Sequence, residues 1–84
     1  MKIRTRKEFS DALHDGPYEW PGGYPKYFLM QDGEPLSFKS AVECRGFILD
    51  ALSSDARYEQ WRVVAVDVNW EDEDMRCVHS GELI

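Results

Sequence analysis

Between Trp61 and Trp70 the chain alternates with a period of two. Val64, Val66, Val68 and Trp70 share one face, while Trp61, Val63 and Ala65 open the other, which turns polar at Asp67 and Asn69. The pattern predicts a strand over Trp61–Asn69 in the middle of a small sheet, buried on both faces at its start and leaving the core at its end. Four consecutive acids, Glu71-Asp72-Glu73-Asp74, mark the exit. Upstream, Tyr27–Met30 and Leu36–Phe38 flank Asp32-Gly33 and read as a β-hairpin, with Asp-Gly suited to the positive φ angles of a tight primed turn. Pro35 offers no N–H to a ladder, so the second of these strands is expected to be short or at an edge.

Two stretches carry helical spacing. Thr5-Arg6-Lys7-Glu8 is a capping box, after which Phe9, Ala12 and Leu13 form a short apolar stripe. His14 suits the C-terminal end of the helix dipole, and Gly16-Pro17 is a stop signal. A second helix is expected from Ser37 or Ser40 to about Ser53-Ser54-Asp55, with Ser40-Ala41-Val42-Glu43 fitting another capping box. Its apolar stripe is Ala41, Cys44, Ile48, Ala51 and Leu52, widened by Phe47. Residues 56–60 then form a connector or a last irregular turn. After the acids, Met75–His79 and Glu82–Ile84 read as strand fragments around a Ser80-Gly81 turn, and the apolar pair Leu83-Ile84 is expected either to dock onto the sheet or to lead into a further tail. The order α-β-β-α-β-(β) gives a single α+β domain over residues 1–84. It is a small antiparallel sheet of three to four strands packed by two α-helices. An open sheet edge at the hairpin or at the C-terminal fragment offers a way for two chains to pair.

Between the first helix and the hairpin lies Gly16-Pro17-Tyr18-Glu19-Trp20-Pro21-Gly22-Gly23-Tyr24-Pro25, too rich in Gly and Pro for regular structure. It carries Tyr18, Trp20 and Tyr24. In so small a domain such a loop is expected to fold over the core as a lid. On a recognition surface the same rings would give large contact area at low entropic cost.

Composition sharpens this picture at a few points. A chain of 84 residues buries only roughly 60–65% of its unfolded surface, so the core is small. Its four Phe, four Tyr and three Trp compensate. The net charge of −6 argues against a surface built to neutralise a nucleic-acid backbone, and is compatible with binding a basic surface that normally holds one. Lys2, Arg4, Arg6 and Lys7 crowd the start; Asp67, Glu71–Asp74 and Glu82 crowd the end, opposed only by Arg76. The plain expectation is a solvated surface with local attraction between the ends. The sharper one is an acidic patch that steers a basic partner. No apolar run reaches the ~18 residues of a membrane span, and Met1–Leu13 has no continuous apolar core of a signal peptide. The expectation is a cytoplasmic protein, so that Cys44 and Cys77 are free thiols, although the one possible bridge between them stays open.

Candidate chemistry is sparse. Asp67-Val-Asn69-Trp-Glu71-Asp-Glu73 starts like a calcium loop but has Asp72 where the motif needs Gly and Val78 where it needs Glu. Cys77-Val78-His79 is half a metal site, and the remaining ligands would have to come from Cys44, His14 or the acids. Hydrolase, phosphate-loop and dinucleotide motifs are lacking. The expectation is a protein that is not an enzyme and needs no metal or cofactor. Its partner-binding residues are Asp67, Asn69, Glu71, Asp72, Glu73 and Asp74 on the acidic side and Tyr18, Trp20 and Tyr24 as aromatic anchors. The alternatives are a small metal-dependent regulator or enzyme using Cys77, His79 and nearby carboxylates, and a nucleic-acid module using Lys2–Lys7.

Tyr24-Pro25-Lys26-Tyr27-Phe28-Leu29, Asp32-Gly33, Leu36-Ser37-Phe38, the block Trp61–Asp72 and the late Cys77 and Gly81 together resemble a group of small, acidic, uncharacterised proteins encoded in bacteriophages and prophages. The resemblance runs from about Trp20 onward, and its motifs are structural rather than catalytic. It implies a bacterial or phage cytoplasmic setting and identifies no partner. Within that setting the leading expectation is a non-enzymatic accessory protein that binds and modulates a host protein. One version is an inhibitor of a defence or nucleic-acid-handling factor, in which the acidic run competes for a basic groove.

Overall fold

Helix α1 (Arg6–His14) starts where its capping box is written. The Thr5 hydroxyl accepts from the Glu8 N–H at 3.2 Å, and Glu8 Oε1 accepts from the Thr5 N–H at 3.1 Å, so two orphan donors are satisfied reciprocally. Phe9 and Ala12 are buried, and Asp15 closes the helix before Gly16, whose φ of 93° turns the chain away. The computed structural model describes residues 1–53 and 61–84, so the connector expected at 56–60 lies outside the described residues.

The sheet is built around β2 (Tyr24–Met30), not around the valine-rich strand. β1 (Tyr18–Glu19) and β3 (Pro35–Ser37) pair with one edge of β2 and β4 (Val63–Val68) with the other, all antiparallel. The β2–β3 hairpin departs from the expected two-residue primed turn. Its loop is Gln31-Asp32-Gly33, closed by Met30 N–H to Glu34 O at 2.9 Å and Gly33 N–H to Met30 O at 3.0 Å. Only the glycine takes a positive φ (88°), whereas a type I′ turn requires two such residues, Asp32 among them. Asp32 instead accepts the Glu34 N–H on its carboxylate at 3.0 Å.

The alternation expected along Trp61–Trp70 is also interrupted. The register runs Tyr27↔Asp67, Phe28↔Val66 and Leu29↔Ala65, then shifts so that Met30 faces Val63. The extra residue slips the period by one, so Val63, rather than Val64, joins Val66 on the face of Phe28 and Met30. Val63, Phe28 and Leu36 are fully buried there, together with Phe9 of α1.

The second predicted helix is two helices, α2 (Phe38–Glu43) and α3 (Arg45–Ser53). Ser37 is the cap, its Oγ accepting the Ser40 N–H at 3.1 Å; Ser40 lies inside α2 and caps nothing. Cys44 interrupts the helix at φ −106°, ψ 18°, although Cys44 N–H to Ser40 O (2.9 Å) and Ile48 N–H to Cys44 O (3.2 Å) carry hydrogen bonding through the bend. The bend lets α2 lie against β2 and β3 while α3 meets α1. Side chains of all three helices join the core cluster of Phe28, Met30, Leu36 and Val63, which places the helices together on one face of the sheet. The architecture is α+β, with three helices among the described residues where two were expected.

The hairpin edge expected to be open is met by the C-terminal segment, and the outer edge of β4 is covered as well. Residues 1–3 run along the outer side of β4, with Ile3 N–H to Val64 O, Val66 N–H to Met1 O and Lys2 facing Ala65. The C-terminal segment folds back on itself at Arg76↔Leu83 and donates Val78 N–H to Pro35 O at 2.8 Å along β3. Ile84 packs against the core and Leu83 stays exposed. No helix of the described residues is long and apolar enough to cross a membrane.

Candidate functional site

The Gly/Pro-rich loop does not close over the core. The core is already filled around the tilted ring contacts Phe9–Phe28 and Phe28–Phe38, with centroids 5.1 and 5.7 Å apart, and the β1–β2 pairing holds the loop beyond it. Trp20 is 73% exposed, Tyr18 50% and Tyr24 37%, which overturns the expected lid. Two glycines shape this cluster. The Tyr24 ring lies so close over Gly22 (φ 106°) that a Cβ there would stand 2.7 Å from it, and a Cβ on Gly23 would stand 3.4 Å from the Trp20 ring.

The Gly/Pro-rich segment, expected to hold no regular structure, gives Tyr18–Glu19 to β1 and Tyr24–Pro25 to β2, and its aromatic side meets the chain just beyond β4. The Tyr24 and Trp70 rings sit 5.0 Å apart at 60°, a tilted contact of the kind aromatic quadrupoles favour. Trp70 is 55% exposed and directly precedes the acids, so this ring pair joins the aromatic surface to the acidic exit. Trp70 was missing from the anchors expected from sequence. The period-two pattern assigned it to a strand face with the valines, but β4 stops at Val68. Its place next to a Pro/Gly-rich loop partner is visible only once β2 and β4 are paired.

The acidic run is a built turn. Asn69 is buried, and both ends of its side-chain amide are occupied: Nδ2 donates to Asp72 O at 2.9 Å and to Ile84 O at 3.3 Å, while Oδ1 accepts the Asp72 N–H at 2.9 Å. Asn69 is therefore a clamp between the acidic turn and the C-terminal segment, turned inward rather than toward a partner. Asp72 Oδ1 in turn accepts the Asp74 N–H at 2.9 Å. Glu71, Asp72, Glu73 and Asp74 are all exposed, as is Asp67. Asp67 points elsewhere, onto the sheet face without helices, opposite Tyr27. Burial raises the Tyr27 hydroxyl pKa above its ordinary value, and the negative charges of Asp67 and then Asp72 raise it further.

Among the described residues the ion pairs are Lys7–Asp11 at 2.9 Å and Lys26–Glu19 at 3.8 Å. Neither joins the basic start to the acidic end, so the attraction expected between the two makes no direct pair. The Cys77–His79 pairing is likewise not made. Cys77 is buried with its Sγ 3.3 Å from the Ser37 N–H and 3.4 Å from Ser40 Oγ; His79 is exposed with Nε2 3.7 Å from Cys44 Sγ. Both cysteines are free. Burial pushes the Cys77 thiol up, but hydrogen bonds from Ser37, Ser40 and Ser80 together outweigh it and bring the pKa down to about 6. Burial, then Glu43 and Cys77, raise that of Cys44. Among the described residues no three His, Cys, Asp or Glu side chains come together as a metal site. Comparisons with protein-family models, with curated proteins and with solved structures give no match to this chain.

Proposed function

We propose that this chain is a non-enzymatic accessory protein of a bacteriophage or prophage that binds and modulates a protein of the bacterial host. The observation that supports this reading is the Tyr24–Trp70 contact, which sets two exposed aromatic rings directly before the Glu71–Asp74 turn, with the exposed Tyr18–Trp20 pair carried at β1 alongside β2. The pairing of rigid anchors with like charge suits a protein partner whose surface is basic around an apolar pocket. The acids would speed encounter and set orientation, while Trp20, Trp70, Tyr18 and Tyr24 supply most of the affinity. A groove that normally holds nucleic acid fits that description, and occupying it inhibits its owner. The metal-dependent alternative finds less support, since Cys77 and His79 serve different neighbours.

The test is capture from a host lysate with three baits: the wild type, Trp70→Ala, and the neutralised turn E71Q/D72N/E73Q/D74N. Asn at 72 keeps an acceptor for the Asp74 N–H, so the turn itself survives. A partner retained by the wild type at low salt, weakened by Trp70→Ala, and lost both with the neutralised bait and at high salt is the expected result. Equal retention by all three baits would refute the reading.

A further inference from the structure

The helices cover one face of the sheet; the other carries its own charge pattern. Cross-strand partners share a face, so the registers place Lys2, Ala65, Leu29 and Pro35 in one row and Asp67, Tyr27 and Ser37 in the next. Arg4 follows Lys2 by two positions and lines the same open groove, about 500 Å³ in volume, together with Leu29, Val64 and Ala65. This face thus carries cations at Arg4 and Lys2 on one side and the anion Asp67 on the other, with Leu29, Val64 and Ala65 as its apolar part. Lys2 and Arg4 are exposed and make no ion pair among the described residues.

A face that is positive at one end and negative at the other is complementary to itself under a two-fold rotation. We propose that a second copy of this chain docks here, open face to open face, as a closed dimer. Lys2 and Arg4 of each protomer then face Asp67 of its partner, and Leu29, Ala65 and Val64 are buried between them. The covered edges favour this route over edge pairing, because residues 1–3 and the Val78–Pro35 contact occupy the positions where another strand would add. Two-fold closure also stops growth at two copies, where a head-to-tail contact would continue. The dimer rests on Lys2, Arg4 and Asp67, none of which is altered in the baits that test the partner proposed above, so the two readings fail separately.

Sedimentation equilibrium at about 0.15 M salt, where charges beyond a Debye length of ~8 Å are screened, tests the proposal. The wild type is expected at twice its chain mass of 9.8 kDa at high concentration. K2E/R4E and D67K are each expected to weaken the dimer about tenfold or more, because like charges then face each other. An equimolar mixture of the two variants is expected to recover wild-type affinity as a heterodimer, which a merely misfolded variant cannot do. A wild type that stays monomeric, a dimer indifferent to both variants, or variants that do not rescue each other overturns it.

Discussion

Asn69 and Cys77 show how much depends on single side chains at the C-terminal end. Replacing Asn69 with Ala removes three hydrogen bonds and leaves the Asp72 N–H and two carbonyls without that partner. The expected loss is about 1–3 kcal/mol of unfolding free energy in urea, with release of the C-terminal segment. Cys77 makes a pH-dependent contribution. Its folded pKa, about 6, lies below the ordinary 9.0, so the folded state holds the thiolate where the unfolded chain holds the thiol. That stabilisation is full above about pH 9, shrinks as pH falls, and is gone below about 6. The stability gap between wild type and Cys77→Ala should therefore widen from pH 6 to pH 9; a gap independent of pH would show that the serine donors do not hold a thiolate. Neither role is legible locally. In sequence Asn69 is one oxygen ligand in a failed calcium loop and Cys77 half a metal site. Asp72 is only three positions from Asn69, but Ile84, Ser37 and Ser40 lie 15, 40 and 37 positions from the side chains they meet, and those distant links make the clamp and the thiol's donor set.

Elements whose cause is local were readable, and those set by packing were not. The α1 capping box needs only four consecutive residues, and Thr5→Ala should cost about 1 kcal/mol by thermal or urea melts. The hairpin was readable as an element, but its loop has three residues, since the register of β2 against β3 places Leu29 opposite Pro35. The bend at Cys44 and the bulge opposite Leu29–Met30 left no signal in the periodicity. Each arises where a continuous helix or strand must shift to keep its apolar side against a neighbour. The aromatic loop supplies an element-scale prediction. Gly22→Ala brings a Cβ within 2.7 Å of Tyr24 at a φ of 106°, so the ring or the loop must shift, which disturbs the contact with Trp70. Partner binding should fall roughly as much as in Tyr24→Ala, while Gly33→Ala, strained at φ 88° but in open space, should cost about 1 kcal/mol of stability and leave binding unchanged.

For the whole molecule, charge and shape act separately. The Glu71–Asp74 carboxylates make no ion pair among the described residues, so neutralising all four reduces the net charge from −6 to −2 without removing a salt bridge. The melting temperature should stay level or rise slightly at low salt, as self-repulsion is relieved; a large drop would mean that the acids hold the fold together rather than face a partner. The amino-acid sequence by itself determined the α+β class, the capped first helix, the hairpin, the strand ending at the acids, and the separation of basic and acidic ends. All of these follow from propensity, spacing and composition within a few neighbouring residues. Tertiary structure alone decided that β2 is the central strand, that both edges are covered, that Asn69 turns inward, and that Trp70 meets Tyr24 beside the acids. These are contacts between residues far apart in the chain. They are selected by which apolar surfaces a core this small has room to bury, and local pattern carries no record of that competition.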